Sequence, residues 1–386
     1  MLTTLAVHGY RSLRDVVLPL APLTVITGAN GSGKSNLYRA FHLLADTANG
    51  RLIGALATAG GLSSVLWAGP EQITGAMRRG EVPIQGTGSR KQPISLQLGF
   101  TGDDFGYLID IGLPVPAQTL FSRDPVIKRE VIWAGTQLRP AATLLERTTR
   151  GVRVAESSTR VDLPIGLPPW ASVLRELVDP VHRPELAAVC EVVRGWRFYD
   201  SFRVDADAPA RLPQVGTRTE VLAGDGHDLA PAAATILESA WAGPLQRAVA
   251  DAFDGSRLTV TDYDGRFEVA LTQTGLLRPL TARELSDGTL RYLLLAVALF
   301  SPRPPGLMVL NEPETSLHPD VLPALARLMV AAGERCQLVV VTHSAPLVDA
   351  LVAAGARHHE LIKPHGETEV ADQGLLSRPT WRWGTR

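Results

Sequence analysis

The sequence predicts an α/β fold with a mixed central sheet, flanking helices and a β-rich insertion. Three observations carry that expectation. A short apolar run, Leu23 to Thr27, passes through a glycine-rich turn into an amphipathic stretch, Ser35 to Leu44, which is a strand–turn–helix pattern. Farther on, apolar Gly306 to Leu310, a helical stretch Pro319 to Gly333 and apolar Gln337 to Val341 repeat strand, helix and strand. Between them, from about residue 95 to 220, alternating segments such as Ile94 to Phe100 and Tyr107 to Ile111 read as strands broken by proline and glycine.

At 386 residues the chain is long enough for two domains or one domain carrying an insertion. Its apolar runs, such as Tyr292 to Phe300, are too short to span a bilayer. The opening Met1-Leu2-Thr3-Thr4 has no basic region ahead of an apolar stretch, so no signal peptide is expected. Cys190 and Cys336 lie far apart without metal-like spacing and read as buried thiols in a reducing, cytoplasmic setting. A net charge of −1 and a pI near 6.8 give no global positive field for nucleic acid. Only four lysines occur, Lys34, Lys91, Lys128 and Lys363, so a lysine in a glycine-rich turn is informative.

That turn reads Gly28-Ala29-Asn30-Gly31-Ser32-Gly33-Lys34-Ser35, the spacing G-x-x-x-x-G-K-S of a phosphate-binding P-loop. Glycines let backbone N–H groups turn inward around phosphate oxygens, and the helix N-terminus adds its positive dipole end. Lys34 is expected at the β- and γ-phosphates of ATP and the Ser35 hydroxyl on Mg²⁺, with Asn30, Gly31, Ser32, Gly33 and Asn36 completing the cradle.

The distal half supplies four further motifs in order. Leu285-Ser286-Asp287-Gly288-Thr289 before an apolar helix resembles the signature of ABC-type ATPases, in which Ser286 and Gly288 would face ATP on a second subunit; an ordinary Ser/Asp helix cap is the alternative. Asn311-Glu312-Pro313 at a strand end resembles a Walker B terminus, with Glu312 as general base or water-orienting group and Glu314 the weaker candidate. Thr315 to Asp320 stands in the place of a D-loop. His343, in Thr342-His343-Ser344, resembles the switch histidine that senses the γ-phosphate.

The whole set resembles the RecF/SMC-like branch of ABC ATPases, with the P-loop NTPase fold of an ABC/RecF head, and especially the stand-alone ATPases of the AAA_21 type. The likeness is specific over roughly residues 1–50 and 280–345. Val7-His8-Gly9-Tyr10-Arg11-Ser12-Leu13 is similar to that branch's opening strand and F-[RK]-S element, which makes Arg11 a further nucleotide contact. The resemblance implies ATP and Mg²⁺, a head-to-tail homodimer, and either a RecF-like role on DNA or an effector switch that engages a protein. Where the family usually has Asp-Glu-Pro, this chain has Asn311, which keeps an oxygen acceptor for Mg²⁺ but loses one negative charge.

The expected division is an N-terminal P-loop lobe over 1–95, a β-rich insertion over 96–220 and a C-terminal lobe over 221–386. Gln72, Gln85 and Gln97 are alternatives for the Q-loop glutamine. The patch Arg123, Lys128, Arg129 and Arg139 near Trp133 reads as a solvated face, and Trp381 to Arg386 as a frayed tail. One helix and a strand pair around Gly366 are expected after His343, and no sustained heptad suggests coiled-coil arms.

Overall fold

A computed structural model describes residues 1–70, 74–79, 81, 95–115, 119–156, 159–371, 373–374 and 377–384. The chain divides into two compact units. Met1–Ala21, Gly28–Gly195 and His359–Arg386 form the first, and Pro22–Thr27 with Trp196–His358 form the second.

A hairpin opens the chain: β1 (Leu2–Tyr10) turns at Arg11 and Ser12 into β2 (Leu13–Pro19). Then comes β3 (Leu23–Gly28), whose last residue starts the P-loop. The β-rich stretch supplies β4 (Ser95–Gly102), β5 (Phe105–Gly112), β6 (Val126–Ala134), β7 (Thr143–Thr148), β8 (Gly151–Glu156) and β9 (Thr159–Leu163). In the first unit these strands build an eight-stranded antiparallel sheet, ordered β2-β1-β4-β5-β6-β7-β8-β9, with Leu98 opposite Val7. Strands β4 and β5 are buried almost throughout, so both faces are covered there, whereas β8 alternates and β9 is exposed. The edge strand β9 is short and carries Arg160 and Asp162, charges that discourage pairing with another chain.

On β6, Glu130 is fully buried and staples the segment 168–174 to the sheet. Its carboxylate accepts from Tyr107 Oη at 2.7 Å, Ser172 Oγ at 2.6 Å, Arg147 Nη1 at 2.9 Å and the Val173 amide at 3.1 Å. Arg147 also donates to the carbonyls of Ala171 and Pro168. Burial, reinforced by the Glu130 charge, holds the Tyr107 phenol far above its ordinary pKa, so it stays a donor.

The second unit contains β10 (Arg197–Tyr199), β11 (Gln214–Val215), β12 (Arg257–Tyr263), β13 (Arg266–Thr272), β14 (Leu280–Thr281), β15 (Leu307–Asn311) and β16 (Gln337–Val341). A parallel run β10-β15-β16-β3 sets Val309 beside Val339 and Val340 beside Val25. Leu307–Leu310 and Leu338–Val341 are uninterrupted apolar runs because parallel strands are covered on both faces. Helices Leu229–Leu237, Ala242–Ala252, Asp287–Leu299, Leu322–Gly333 and Ala345–Ala353 accompany them. Asp287–Leu299 is buried on every side from Leu290 onward, the charged Arg291 included. Strands β11, β12, β13 and β14 form a separate small antiparallel sheet.

After the helix Ala345–Ala353 come β17 (Arg357–Ile362) and β18 (Glu369–Val370), paired with Leu361 opposite Val370 around the turn Pro364–Gly366. The fold is thus mixed α/β, with a large sheet and flanking helices. Among the described residues, no helix is long and apolar enough to cross a membrane.

Candidate nucleotide site

In the first unit the P-loop has the backbone its glycines permit. Gly28, Gly31 and Gly33 have φ of 148°, 80° and 114°, values that L side chains rarely adopt. Gly33 caps the helix Lys34–Ala48 without a side-chain cap, which leaves the first-turn N–H groups available to an anion. A Cβ on Gly33 would lie 2.2 Å from Thr368 Oγ1, and one on Gly28 would lie 2.3 Å from the Leu361 carbonyl. Lys34 is only 6% exposed, and its ammonium donates to the carbonyls of Gly28 at 2.6 Å and Ala29 at 3.2 Å, which folds it over the loop. Asn30 and Gly31 are exposed at the loop tip.

The loop is braced by residues from both ends of the chain. The Thr368 hydroxyl donates to the Ser32 carbonyl at 2.7 Å, the Thr368 amide donates to the Ser12 carbonyl at 2.8 Å, and the two hydroxyls lie 2.7 Å apart. Asn36 Nδ2 donates to Ser12 Oγ at 2.9 Å. Arg14 bonds Glu367, which is 3% exposed and holds the neighbouring residue in place. In the F-[RK]-S element it is therefore Ser12 that reaches the P-loop brace. Arg11 takes a left-handed turn at φ 47°, its amide bonds the Val65 carbonyl, and its guanidinium stands 5.8 Å from the Tyr10 ring. The side chain of Asn36 is thus used in bracing.

The distal motifs lie in the second unit. Ser286 caps the helix Asp287–Leu299: its hydroxyl accepts from the Thr289 amide at 3.1 Å and lies 2.9 Å from Thr289 Oγ1. A Cβ on Gly288 would lie 2.7 Å from the Ser316 carbonyl, so the glycine admits the D-loop backbone, where Ser316 has φ 65°. Arg211, 4% exposed, fixes the loop before this helix by donating to the carbonyls of Ala282 and Leu285 and to Asp287 Oδ1 at 2.7 Å.

Asn311 ends β15 opposite Val341, and Glu312 follows at φ 48°, a strained value for a non-glycine residue. The strain is held on both sides. The Glu312 amide donates to the Val341 carbonyl at 2.7 Å, and its own carbonyl accepts from Arg291 Nη2 at 3.2 Å. Burial lowers the Arg291 pKa, a drop opposed by the carboxylates of Glu314, Asp200 and Glu312. His343 Nδ1 stands 3.7 Å from Glu312 Oε1 and 3.4 Å from Glu314 Oε1, so the structure brings the predicted base and switch histidine together. Among the described residues, no group of three or more His, Cys, Asp or Glu side chains is arranged to hold a metal. The oxygen donors expected for a hard cation are the Ser35 hydroxyl in the first unit and the Asn311 amide in the second.

Other expectations land differently. Gln72 and Gln85 lie outside the described residues, and Gln97 on β4 donates to Asp110 Oδ2 at 3.0 Å. The basic patch is not wholly solvated: Arg129 bonds Glu146 and the Trp383 carbonyl, and Trp133 is 1% exposed. The tail is not frayed where it is described, because Trp381 packs on Trp133 and Trp383 with ring centroids 6.0 and 5.2 Å away. Thr368, Glu367, Arg211, Arg291 and the burial of Glu314 carry no local sequence signal. Thr368 meets Ser12 across 356 residues, and no periodicity encodes such a contact.

Known proteins share this chain's family and fold. Residues 23–350 match AAA_21, described as "AAA domain, putative AbiEii toxin, Type IV TA system". A stretch of 44 residues is 50% identical to an OLD nuclease of Thermus scotoductus, covering 11% of this chain and 8% of that relative. The SMC head in a solved complex with the C-winged helix domain of ScpA superposes with a TM-score of 0.50 at 14% identity, covering 97% of this chain and 98% of that one. The SMC head domain from Thermotoga maritima gives 0.47 at 15% identity, over 97% and 99%. At 14% identity the likeness to the first of these heads is one of fold.

Proposed function

The chain belongs to the AAA_21 family of P-loop ATPases, and from that premise we propose that it hydrolyses ATP at a composite site closed by a second copy of itself. The observation that carries the proposal is the P-loop: three glycines at positive φ, a buried Lys34 folded over them, and an uncapped helix N-terminus behind. Functionally the chain is read as a P-loop lobe over 1–95, a β-rich insertion over 96–220 and a C-terminal lobe over 221–386.

Gly28, Asn30, Gly31, Ser32, Gly33 and Lys34 bind the phosphates, with Arg11 as a further contact and Asn36 supporting the loop. Ser35 and Asn311 offer oxygens to Mg²⁺, which neutralises phosphate charge when bound. Glu312 orients the attacking water and accepts its proton, and His343 senses the γ-phosphate. Ser286 and Gly288 of the second copy complete the clamp, at the start of the helix Asp287–Leu299.

Steady-state ATPase assays on the wild type, Lys34→Ala and Glu312→Gln, with light scattering in the presence and absence of ATP, test this. Hydrolysis lost in both variants and an ATP-dependent dimer support it. A protein that stays monomeric under ATP at high concentration yet turns over at full rate overturns the composite site.

For the target, RecF-like action on duplex DNA is one reading. A net charge of −1 favours the other, a nucleotide-switched effector that engages a protein. ATP-stimulated duplex binding that weakens steeply with salt selects the first.

A further inference from the structure

The Walker B turn holds a second acid that the proposed reaction does not use. Glu314 is 9% exposed, and its two oxygens are treated unequally. Oε1 accepts from the Thr342 hydroxyl at 2.5 Å and from the His343 amide at 3.1 Å, and it faces His343 Nδ1 at 3.4 Å. Oε2 is buried and makes no hydrogen bond.

The charged groups around this carboxylate come from three places. Glu312 on the same turn reaches His343 Nδ1 at 3.7 Å. Arg291, on the helix Asp287–Leu299, donates to the Glu312 carbonyl at 3.2 Å, and Asp200 acts on Arg291. With acceptors on both Glu312 and Glu314, Nδ1 is favourably placed only as a donor, since an unprotonated Nδ1 would set lone pair against lone pair.

We propose that Glu314 is the positioning residue for His343. By gripping the Thr342 hydroxyl and the His343 amide it fixes the backbone that carries the ring. By facing Nδ1 it keeps the proton there, which leaves Nε2 as the acceptor nitrogen of the neutral ring. The His343 side chain is 56% exposed, which leaves the far edge of the ring accessible. Glu314 itself touches no reacting atom in this scheme. The proposal rests on reading His343 as the γ-phosphate sensor.

The test is a ring-nitrogen NMR experiment on the full chain labelled with ¹⁵N-imidazole histidine, the His343 signals being assigned by their loss in His343→Gln. In the wild type, the neutral ring carries its proton on Nδ1, which faces Glu312 and Glu314. A wild-type ring whose neutral form carries its proton on Nε2 overturns the proposal without any Glu314 variant being needed. In Glu314→Gln, where an amide replaces the second acceptor, the Nδ1–H form gives way to a mixture, and kcat falls about tenfold with KM for ATP little changed, the scale of one hydrogen bond to a charged group. A His343 spectrum identical to wild type in that variant overturns the proposal and leaves Glu314 a structural anchor. Failure of the parent reading looks different: His343→Gln would turn over ATP at the wild-type rate, whatever tautomer the wild-type ring shows.

Discussion

Two buried carboxylates, one in each unit, are built differently. Glu130 uses both oxygens, with Tyr107 and Ser172 on one and Arg147 and the Val173 amide on the other, so that four donors from three chain segments close around it. Glu314 takes the Thr342 hydroxyl and the His343 amide on one oxygen and leaves the other buried with no partner. Burying an acceptor without a partner costs about 1–3 kcal/mol. A carboxylate whose work is holding chain segments together is saturated. The one beside the strained Glu312 and the half-exposed His343 keeps unused capacity where the fold has also placed a left-handed non-glycine residue. Strain and an unsatisfied acceptor together mark the second site as arranged for something other than stability.

The sharpest break between the two is Glu312→Gln. This side chain is 42% exposed and makes no buried ion pair, so the variant should fold as the wild type does while turnover falls roughly 10²–10⁴-fold, the range for removal of a general base. Steady-state hydrolysis set beside a thermal melt reads both quantities, and a melt lowered in step with activity counts against the functional reading. Glu130→Ala is the mirror image. It strands Arg147, which is 4% exposed, and should destabilise the first unit by about 3–5 kcal/mol. Hydrogen exchange at the Val173 amide should rise accordingly, while turnover per folded molecule holds.

How much of this was legible in the sequence follows from the range of the contacts. Strand, P-loop and helix around Gly28–Ser35 are local, and the strand β16 was expected at its observed bounds, Gln337–Val341. The signature helix begins at Asp287, directly after the Ser286 that caps it, so its start was legible in the cap residue. Hidden from sequence were contacts closed over hundreds of residues, such as Thr368 on Ser32 and Ser12. The docking of Trp381 on Trp133 was hidden for the same reason: a polar, aromatic terminus looks frayed until the sheet that receives it exists.

The P-loop brace allows a smaller test of the same contrast. Thr368→Val keeps the shape of the side chain and removes the hydroxyl that donates to the Ser32 carbonyl. With one neutral hydrogen bond worth about 1 kcal/mol, ATP affinity should weaken about fivefold while kcat stays close to wild type. Titration calorimetry with ATP checks the affinity. A loss of kcat at unchanged affinity would place Thr368 with the chemistry instead of the loop.

The smallest effect belongs to Asn311, at the end of β15 and one residue before Glu312. Asparagine offers a hard cation a neutral oxygen where an aspartate would add a full negative charge, so Asn311→Asp should lower the Mg²⁺ concentration needed for half-maximal hydrolysis. Asn311 is only partly buried, and salt screens a charge so placed, which holds the expected shift to about threefold at physiological ionic strength. The shift should grow as salt is lowered, since screening and not geometry limits it. ATPase rates across Mg²⁺ concentrations at two ionic strengths measure both effects. A wild type that already saturates at low Mg²⁺, with no gain from aspartate, would mean that another group supplies the missing charge. Glu314, with its unpartnered oxygen, would then be the carboxylate to test next, in the double variant of Asn311→Asp with Glu314→Gln.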